Sequence, residues 1–197
     1  MKLVLGVSGA SGSAYAARAM AFLAGPGREA GIETDVVMTK TARIVWADEL
    51  GTDPAGFGLK LWNPGDYTAP FASGSARYDA MVVLPCSAGM MARIAHGVSA
   101  DLVGRAADVM LKERRPLVLV LRETPLSLIH LRNATQLVEA GAVVMPAAPS
   151  FYSHPTSIDA LLDTVVARAF DRAGIDNTLV KRWSGLTRTA PAHAEEP

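Results

Sequence analysis

Cysteine is nearly absent from this chain: Cys86 is the only one in 197 residues. No disulfide can form within it, which excludes a fold stapled by cystine pairs. Neither sign of charge is in excess, since 19 Lys and Arg stand against 19 Asp and Glu. That balance gives no support for a nucleic-acid surface or a polybasic membrane face, so basic residues can matter only in local clusters. Long apolar runs are missing as well; stretches such as residues 116–121 fall far short of the roughly 20 residues that cross a bilayer. The four histidines, His96, His130, His154 and His193, show no spacing for metal ligands, so no metal site is expected. Met1-Lys2 leads straight into a strand-like run without a secretory pattern, and a cytoplasmic setting is the expectation.

What is present is a folding composition, half hydrophobic and 19% charged, of a length that suits one well-buried core. Short β-branched apolar runs at residues 3–7, 35–38, 80–84, 116–121 and 142–145 alternate with segments of helical period. The helical segments fall at about 14–23, 42–50, 88–96, 102–114, 126–140 and 158–173. Strand and helix in repeated alternation predict an α/β fold: a Rossmann-like, three-layer α/β/α domain with a mainly parallel sheet. One domain over residues 1–185 and a flexible tail over 186–197 are expected, because the tail has no apolar pattern. Residues 63–75, rich in Pro and Gly and without period, read as a long loop.

Ligands of such sheets sit beyond the carboxyl ends of the strands, which directs attention to the residues that follow each strand. After the first comes Gly6-Val7-Ser8-Gly9-Ala10-Ser11-Gly12-Ser13, small residues entering a helix whose free N–H groups attract an anion. Its glycines are spaced by threes, which is not G-x-G-x-x-G and argues against a nicotinamide dinucleotide. Thr39-Lys40-Thr41 and Pro85-Cys86-Ser87 offer hydroxyls and amides after the second and third strands, where helix capping is an equally good use for them. Cys86 lacks a neighbouring histidine and reads as a small buried side chain. Arg105 and Lys112, seven apart, share one helix face, while Arg122 and Glu123 end a strand. A charge at the end of a buried strand needs a partner or a ligand.

Read together, Ser8-Gly9-Ala10-Ser11-Gly12, Ala72-Ser73-Gly74-Ser75, Pro85-Cys86-Ser87, Arg105-Ala106-Ala107-Asp108-Val109, Arg122-Glu123-Thr124-Pro125-Leu126-Ser127, Pro146-Ala147-Ala148-Pro149 and Arg182-Trp183 resemble the flavin prenyltransferase family of the UbiX type. That family lies within the wider homo-oligomeric flavin-containing cysteine decarboxylase-like group. The resemblance implies transfer of a dimethylallyl group from dimethylallyl phosphate to N5 and C6 of reduced FMN, which serves as co-substrate. It implies FMN contacts at Gly9, Ala10, Ser11, Thr39, Ser87, Arg105 and Arg122, and a substrate phosphate held by Lys112, Arg122, Tyr152 and Arg168, some of them across a subunit boundary. Ser11, Glu49, Glu123 and Tyr67 match the positions implied to be catalytic, with Trp183 as a second aromatic candidate. A homo-oligomer, up to a dodecamer, and a client UbiD-type decarboxylase that receives the prenylated FMN are further implications.

Four residues depart from the family's pattern: Asp101 for asparagine, Leu121 for proline, Arg132 for glutamate and Ser150 for glycine. None removes a proposed phosphate donor. One rival is FMN-dependent decarboxylation of a cysteine-containing substrate, but that group carries Pro-Ala-Ser-Ala-Asn-Thr where this chain has Pro85-Cys86-Ser87-Ala88-Gly89-Met90. The other is a non-catalytic flavin carrier subunit of an aromatic-acid decarboxylase, which need not keep all four phosphate donors.

Overall fold

Strands that are apolar throughout must be covered on both faces, and the computed structural model, which describes residues 1–185, shows by what. Six strands, β1 (Lys2–Val7), β2 (Glu33–Met38), β3 (Lys60–Trp62), β4 (Ala80–Cys86), β5 (Leu117–Leu121) and β6 (Val143–Pro146), form one sheet. Their order is β3-β2-β1-β4-β5-β6 and every pairing is parallel, so the expected sheet is parallel throughout. The helices are α1 (Ser13–Ala24), α2 (Pro26–Glu29), α3 (Lys40–Leu50), α4 (Ala88–Ala95), α5 (Leu102–Lys112), α6 (Leu128–Glu139) and α7 (Ile158–Arg172). The flexible tail expected over residues 186–197 lies outside the described residues.

Alternate residues of each strand feed two separate cores, as the period of two requires. Leu3, Leu5 and Val7 face Ala16, Met20 and Leu23 of α1 and Val166 and Phe170 of α7. Val4, Met81 and Val83 face Met90 and Met91 of α4 and Leu102, Val103 and Met110 of α5. Periodicity does not predict the one-turn helix α2 or the edge strand β3. The strand is three residues long, and its position rests on Trp62, whose indole Nε1 donates to Asp35 at 2.6 Å and whose ring meets Phe71 edge-on at 5.9 Å. Among the described residues no helix is long and apolar enough to cross a membrane, and no group of three His, Cys, Asp or Glu could hold a metal ion.

One polar clamp fixes α7, and with it Arg168, against α1. Arg18 reaches across with Nε and Nη2 to both oxygens of the buried Asp163, at 2.8 and 2.7 Å, and with Nη1 to Asp159 at 3.3 Å. The hydrogen bonds to Asp163 are the main reason that the Arg18 guanidinium is held above its ordinary value. Such a two-point fork loses both bonds when truncated and leaves Asp163 buried without a partner. Arg18→Ala should therefore lower unfolding free energy by about 1.5–3 kcal/mol in urea titration, with an unchanged m-value. Arg18→Met paired with Asp163→Leu should recover most of the loss, because no charge then remains buried.

Candidate active site along the strand ends

The strand order reverses between β1 and β4, so their outgoing loops diverge and leave a crevice at the carboxyl edge of the sheet. Ser8 ties the two loops together. Its buried Oγ donates to the Pro85 carbonyl at 3.0 Å and accepts from the Ser87 amide at 2.7 Å. In the crevice lies a cleft of about 590 Å³ that brings together Gly9, Thr39 and Ser87, with Lys40, Thr41 and Arg93 beside them. Thr39 and Ser87 also cap α3 and α4, accepting from the amides of Ala42 at 3.0 Å and Met90 at 3.2 Å. Capping and lining are thus compatible, since each cap leaves the hydroxyl proton free for a ligand. Ala10 is buried next to Gly9, its amide donating to the Ser8 carbonyl at 2.9 Å.

The start of α1 holds an anion from the chain itself. Gly12 sits at φ 108, a left-handed conformation that suits glycine, and α1 has no side-chain cap of its own. Glu49, from the last turn of α3, supplies the cap. Its carboxylate accepts from the Gly12 amide at 3.0 Å and from the Ser13 amide at 2.7 Å. Burial pushes the Glu49 carboxyl up, but hydrogen bonds from the Ser11 hydroxyl, the Ser13 and Gly12 amides and the Ser13 hydroxyl outweigh it and hold the group below the usual range. The anion at the start of α1 is therefore a side chain, held by the Gly12 and Ser13 amides with the Ser11 hydroxyl near it.

Arg122 follows directly. It leaves β5 with its amide bonded to the Cys86 carbonyl at 2.9 Å, and its stem passes Gly12 so closely that a Cβ there would lie 3.7 Å from Arg122 Cγ. Its Nε is buried and has no hydrogen-bond partner. The Tyr15 ring lies under Gly12 from the other side; burial raises its hydroxyl and the Arg122 charge opposes that rise. Beyond Arg122, the Ala147 amide returns to the Leu121 carbonyl at 2.8 Å and carries the chain towards Tyr152.

A second cleft, of about 880 Å³, opens past β6 and contains Tyr152, Arg168 and Trp183. The Tyr152 and Trp183 rings meet at 5.0 Å and 64°. Asp171 stands between the cations there, accepting from Arg168 Nη1 at 3.2 Å and Arg182 Nη1 at 2.7 Å.

Not every residue singled out from the sequence joins this strip. Arg105 turns to the Ala72 carbonyl at 3.0 Å and Asp108 at 3.0 Å, outside both clefts. Lys112 closes α5 at the opposite edge of the sheet, five residues before β5 begins, and pairs with Glu113. The length of β5, roughly 17 Å at the usual rise, separates that edge from Arg122, so one chain does not bring Lys112 to Arg122. Tyr67 spends its hydroxyl on the Ser99 carbonyl at 3.2 Å, near the first cleft but not in its wall. Glu123 is exposed and accepts only from the Thr124 amide, at 3.2 Å. Cys86 is fully buried and its thiol is pushed up to about 12 by desolvation, which rules out a thiolate nucleophile.

The sequence did not point to Arg93 or to the use of Asp101. Arg93 lines the first cleft and pairs with Asp101 at 3.6 Å, while Asp101 caps α5 by accepting from the Gly104 amide at 2.9 Å. Aspartate caps as well as the asparagine it replaces, so this departure leaves the fold intact and adds a negative charge beside Arg93.

A doubly wound parallel sheet, with a polar cleft at its switch point and a half-buried strand-end arginine, defines a nucleotide-type α/β binding protein. The model of the flavoprotein family matches residues 1–170. The flavin prenyltransferase UbiX of Synechocystis sp. is 44% identical, over 93% of this chain and 96% of that protein. A crystal structure of AnUbiX (PadA1) in complex with FMN and dimethylallyl pyrophosphate superposes with a TM-score of 0.88 at 41% identity, covering 94% of this chain and 98% of that one. A dodecameric FMN-dependent UbiX-like decarboxylase from Escherichia coli O157:H7 gives 0.86 at 41% identity, covering 94% and 100%. The chain belongs to the flavoprotein family and, within it, to the UbiX-type flavin prenyltransferases.

The Glu49 cap has a pH signature. A carboxyl whose folded value is depressed contributes stability that is complete above the unfolded glutamate value, about 4.3, and is lost as pH falls through the folded value. The Gly12 and Ser13 amide resonances should therefore titrate together below the usual glutamate range. In Glu49→Gln that joint transition should be absent; a midpoint at or above the ordinary glutamate value in the unmodified protein would contradict the geometry.

Proposed function

We propose that this chain is a flavin prenyltransferase that joins the dimethylallyl group of dimethylallyl phosphate to N5 and C6 of reduced FMN. The observation that carries the reading is Arg122, a cation just past the carboxyl end of β5 whose buried Nε has no partner among the described residues. A buried charged donor without an acceptor costs stability unless a ligand completes it. Family membership supports FMN as the ligand of the first cleft and an allylic phosphate as that of the second.

The first cleft fits a phosphate ester. Hydroxyls of Thr39, Thr41 and Ser87 and the cations Lys40 and Arg93 face it against one carboxylate, Asp101. Reduced FMN supplies the two nucleophilic positions when bound. Gly9 and Ala10 carry no bulk that would keep a flat ring from the backbone. Ser11, whose hydroxyl lies near Glu49, holds or passes a proton at the reacting edge, and Glu123, exposed at the strand end, accepts the proton released on ring closure.

Cleavage of the allylic C–O bond leaves its electron pair on phosphate. Arg122, Arg168 and the Tyr152 hydroxyl offset that charge, and the faces of Tyr152 and Trp183 offset the positive charge that grows on the allylic carbon. Lys112 can meet the same phosphate only from a neighbouring copy, as its place at the far edge of the sheet requires. Leu128, Ile129, Leu131 and Phe151 are exposed near the strip, a surface suited to such a neighbour. In this reading Tyr67 remains the aromatic candidate beside the allylic group and Arg105 a contact on the flavin side. The product passes to a UbiD-type decarboxylase in the cytoplasm.

Anaerobic incubation of reduced protein with FMN and dimethylallyl phosphate tests the activity. The bound flavin should gain the mass of one dimethylallyl group with a changed absorbance, and unmodified FMN would refute it. Arg122→Ala and Arg168→Ala should each weaken use of the allylic phosphate by about 1.5–3 kcal/mol, and Tyr152→Phe by about 0.5–1.5, with FMN affinity retained. Equal loss of FMN affinity would remove these residues from the phosphate site.

Supply of Lys112 by a neighbour has its own readout. Lys112→Ala and Arg122→Ala should each be impaired alone, by about 1.5–3 kcal/mol, and mixing after subunit exchange should raise the activity above that of either variant through hybrid sites. Hybrids no more active than either variant would place both residues in one chain's site or neither.

A further inference from the structure

We propose that Arg182 is a further substrate-phosphate residue, paired with Arg168 into a two-arginine clamp whose geometry is set by Asp171. The inference rests on the reading of Arg168 as a phosphate donor and extends it to Arg182, which belongs to the Arg182-Trp183 stretch but to which the resemblance gives no phosphate role.

Three features of the second cleft carry it. Both guanidiniums place Nη1 on the same Asp171 oxygen, at 3.2 and 2.7 Å, so these nitrogens lie no more than about 6 Å apart. One phosphate can bridge that separation with two hydrogen bonds of ordinary length. Each arginine meets Asp171 through Nη1, and among the described residues nothing else pairs with its Nε and Nη2 edge, which can face an anion. Two carboxylates, Asp171 in contact and Asp176 acting on Arg182 through space, stand against three cations, Arg168, Arg182 and Lys181.

The carboxylate is the fixed partner. Its side chain is 15% exposed against 66% for Arg168 and 62% for Arg182, and its other oxygen is held by Asn177 Nδ2 at 3.1 Å. Asn177 Nδ2 also contacts the Ala167 carbonyl at 3.3 Å, so the segment that bears Arg182 is fastened to α7. Fixing both forks in advance lowers the ordering cost of binding. Asp171 is then a positioning residue: it aims two cations and brings Trp183, next in sequence to Arg182, against Tyr152.

The test uses the full-length protein with FMN bound, dimethylallyl phosphate as substrate and inorganic phosphate as a competing probe. Arg182→Gln should raise KM for dimethylallyl phosphate and Ki for phosphate by about tenfold or more, the loss of one charge-assisted donor, with FMN affinity unchanged. Arg182→Lys should recover part of that loss. Asp171→Asn should raise the same two constants by a smaller factor, and the Asp171→Asn and Arg182→Gln effects should be less than additive when combined. Should Arg182→Gln fail to fold, Asp171→Asn and its coupling to Arg168→Ala decide the matter by the same constants. Unchanged KM and Ki in Arg182→Gln, or tighter phosphate binding in Asp171→Asn, would overturn the clamp. If the unmodified protein does not prenylate FMN, the functional reading fails; phosphate competition on the FMN-bound protein still reports on the clamp.

Discussion

The contact on which the rest of the site depends is the Glu49 carboxylate at the start of α1. A helix start leaves unpaired N–H groups and a partial positive charge, and in doubly wound sheets the first such start commonly receives a ligand phosphate. Here α3, α4, α5, α6 and α7 each have their own cap, from Thr39, Ser87, Asp101, Ser127 and Ser157, and α1 does not. Glu49 fills the vacant position from a neighbouring helix. The consequence is displacement: a ligand phosphate has to find its donors beside the α1 start, where Thr39, Ser87 and Arg93 stand. The same contact draws α3 against the first loop.

From that contact the site runs outward across the sheet. Ser8 locks the β1 loop to the β4 loop through a buried hydroxyl that both donates and accepts, a small network with every member satisfied. Arg122 is placed by β5 and packed by Gly12 and Tyr15, and Ala147 continues from β6. Adjacent strands lie roughly 4.8 Å apart, so successive strand ends deliver successive parts of a ligand. The order β2, β1, β4, β5, β6 is thus also the order from the hydroxyl-lined cleft to the arginine and then to the aromatic cleft.

Much of this was legible in the sequence because fully buried parallel strands are continuous apolar runs and their loops come at known places. β3 was not, since a three-residue edge strand containing Lys60 has neither alternation nor an apolar run, and only its pairing with Asp35–Val37 defines it. Gly9, Thr39 and Ser87 were legible as post-strand residues and do share a cleft. Arg105 and Lys112 show the limit of helical spacing. Seven residues put them on one side of α5, yet that helix runs against the strands and carries Lys112 to the amino edge of the sheet. A helix that precedes a parallel strand ends where that strand begins, so topology, rather than the motif, tells where Lys112 lies within one chain. Arg93 had no signal and Arg182 had one only within the Arg182-Trp183 stretch, with no role attached, because their roles come from contacts with Asp101 and Asp171 at distances along the chain that no pattern links.

The arginines of the strip differ in how far the chain itself completes them, and the difference follows the chemistry. Arg18, which only joins helices, has a two-point fork on a buried carboxylate and a second acid beside it. Arg93 has one carboxylate at 3.6 Å, and Arg168 and Arg182 share a single oxygen. Arg122 has no carboxylate at all among the described residues and a buried Nε without a partner. Completeness therefore falls from the structural arginine to the one at the centre of the strip. A fully paired guanidinium has nothing left for a phosphate, and an unpaired buried one is costly; graded pairing is the arrangement in which the fold survives without ligand and still has donors to give when one arrives.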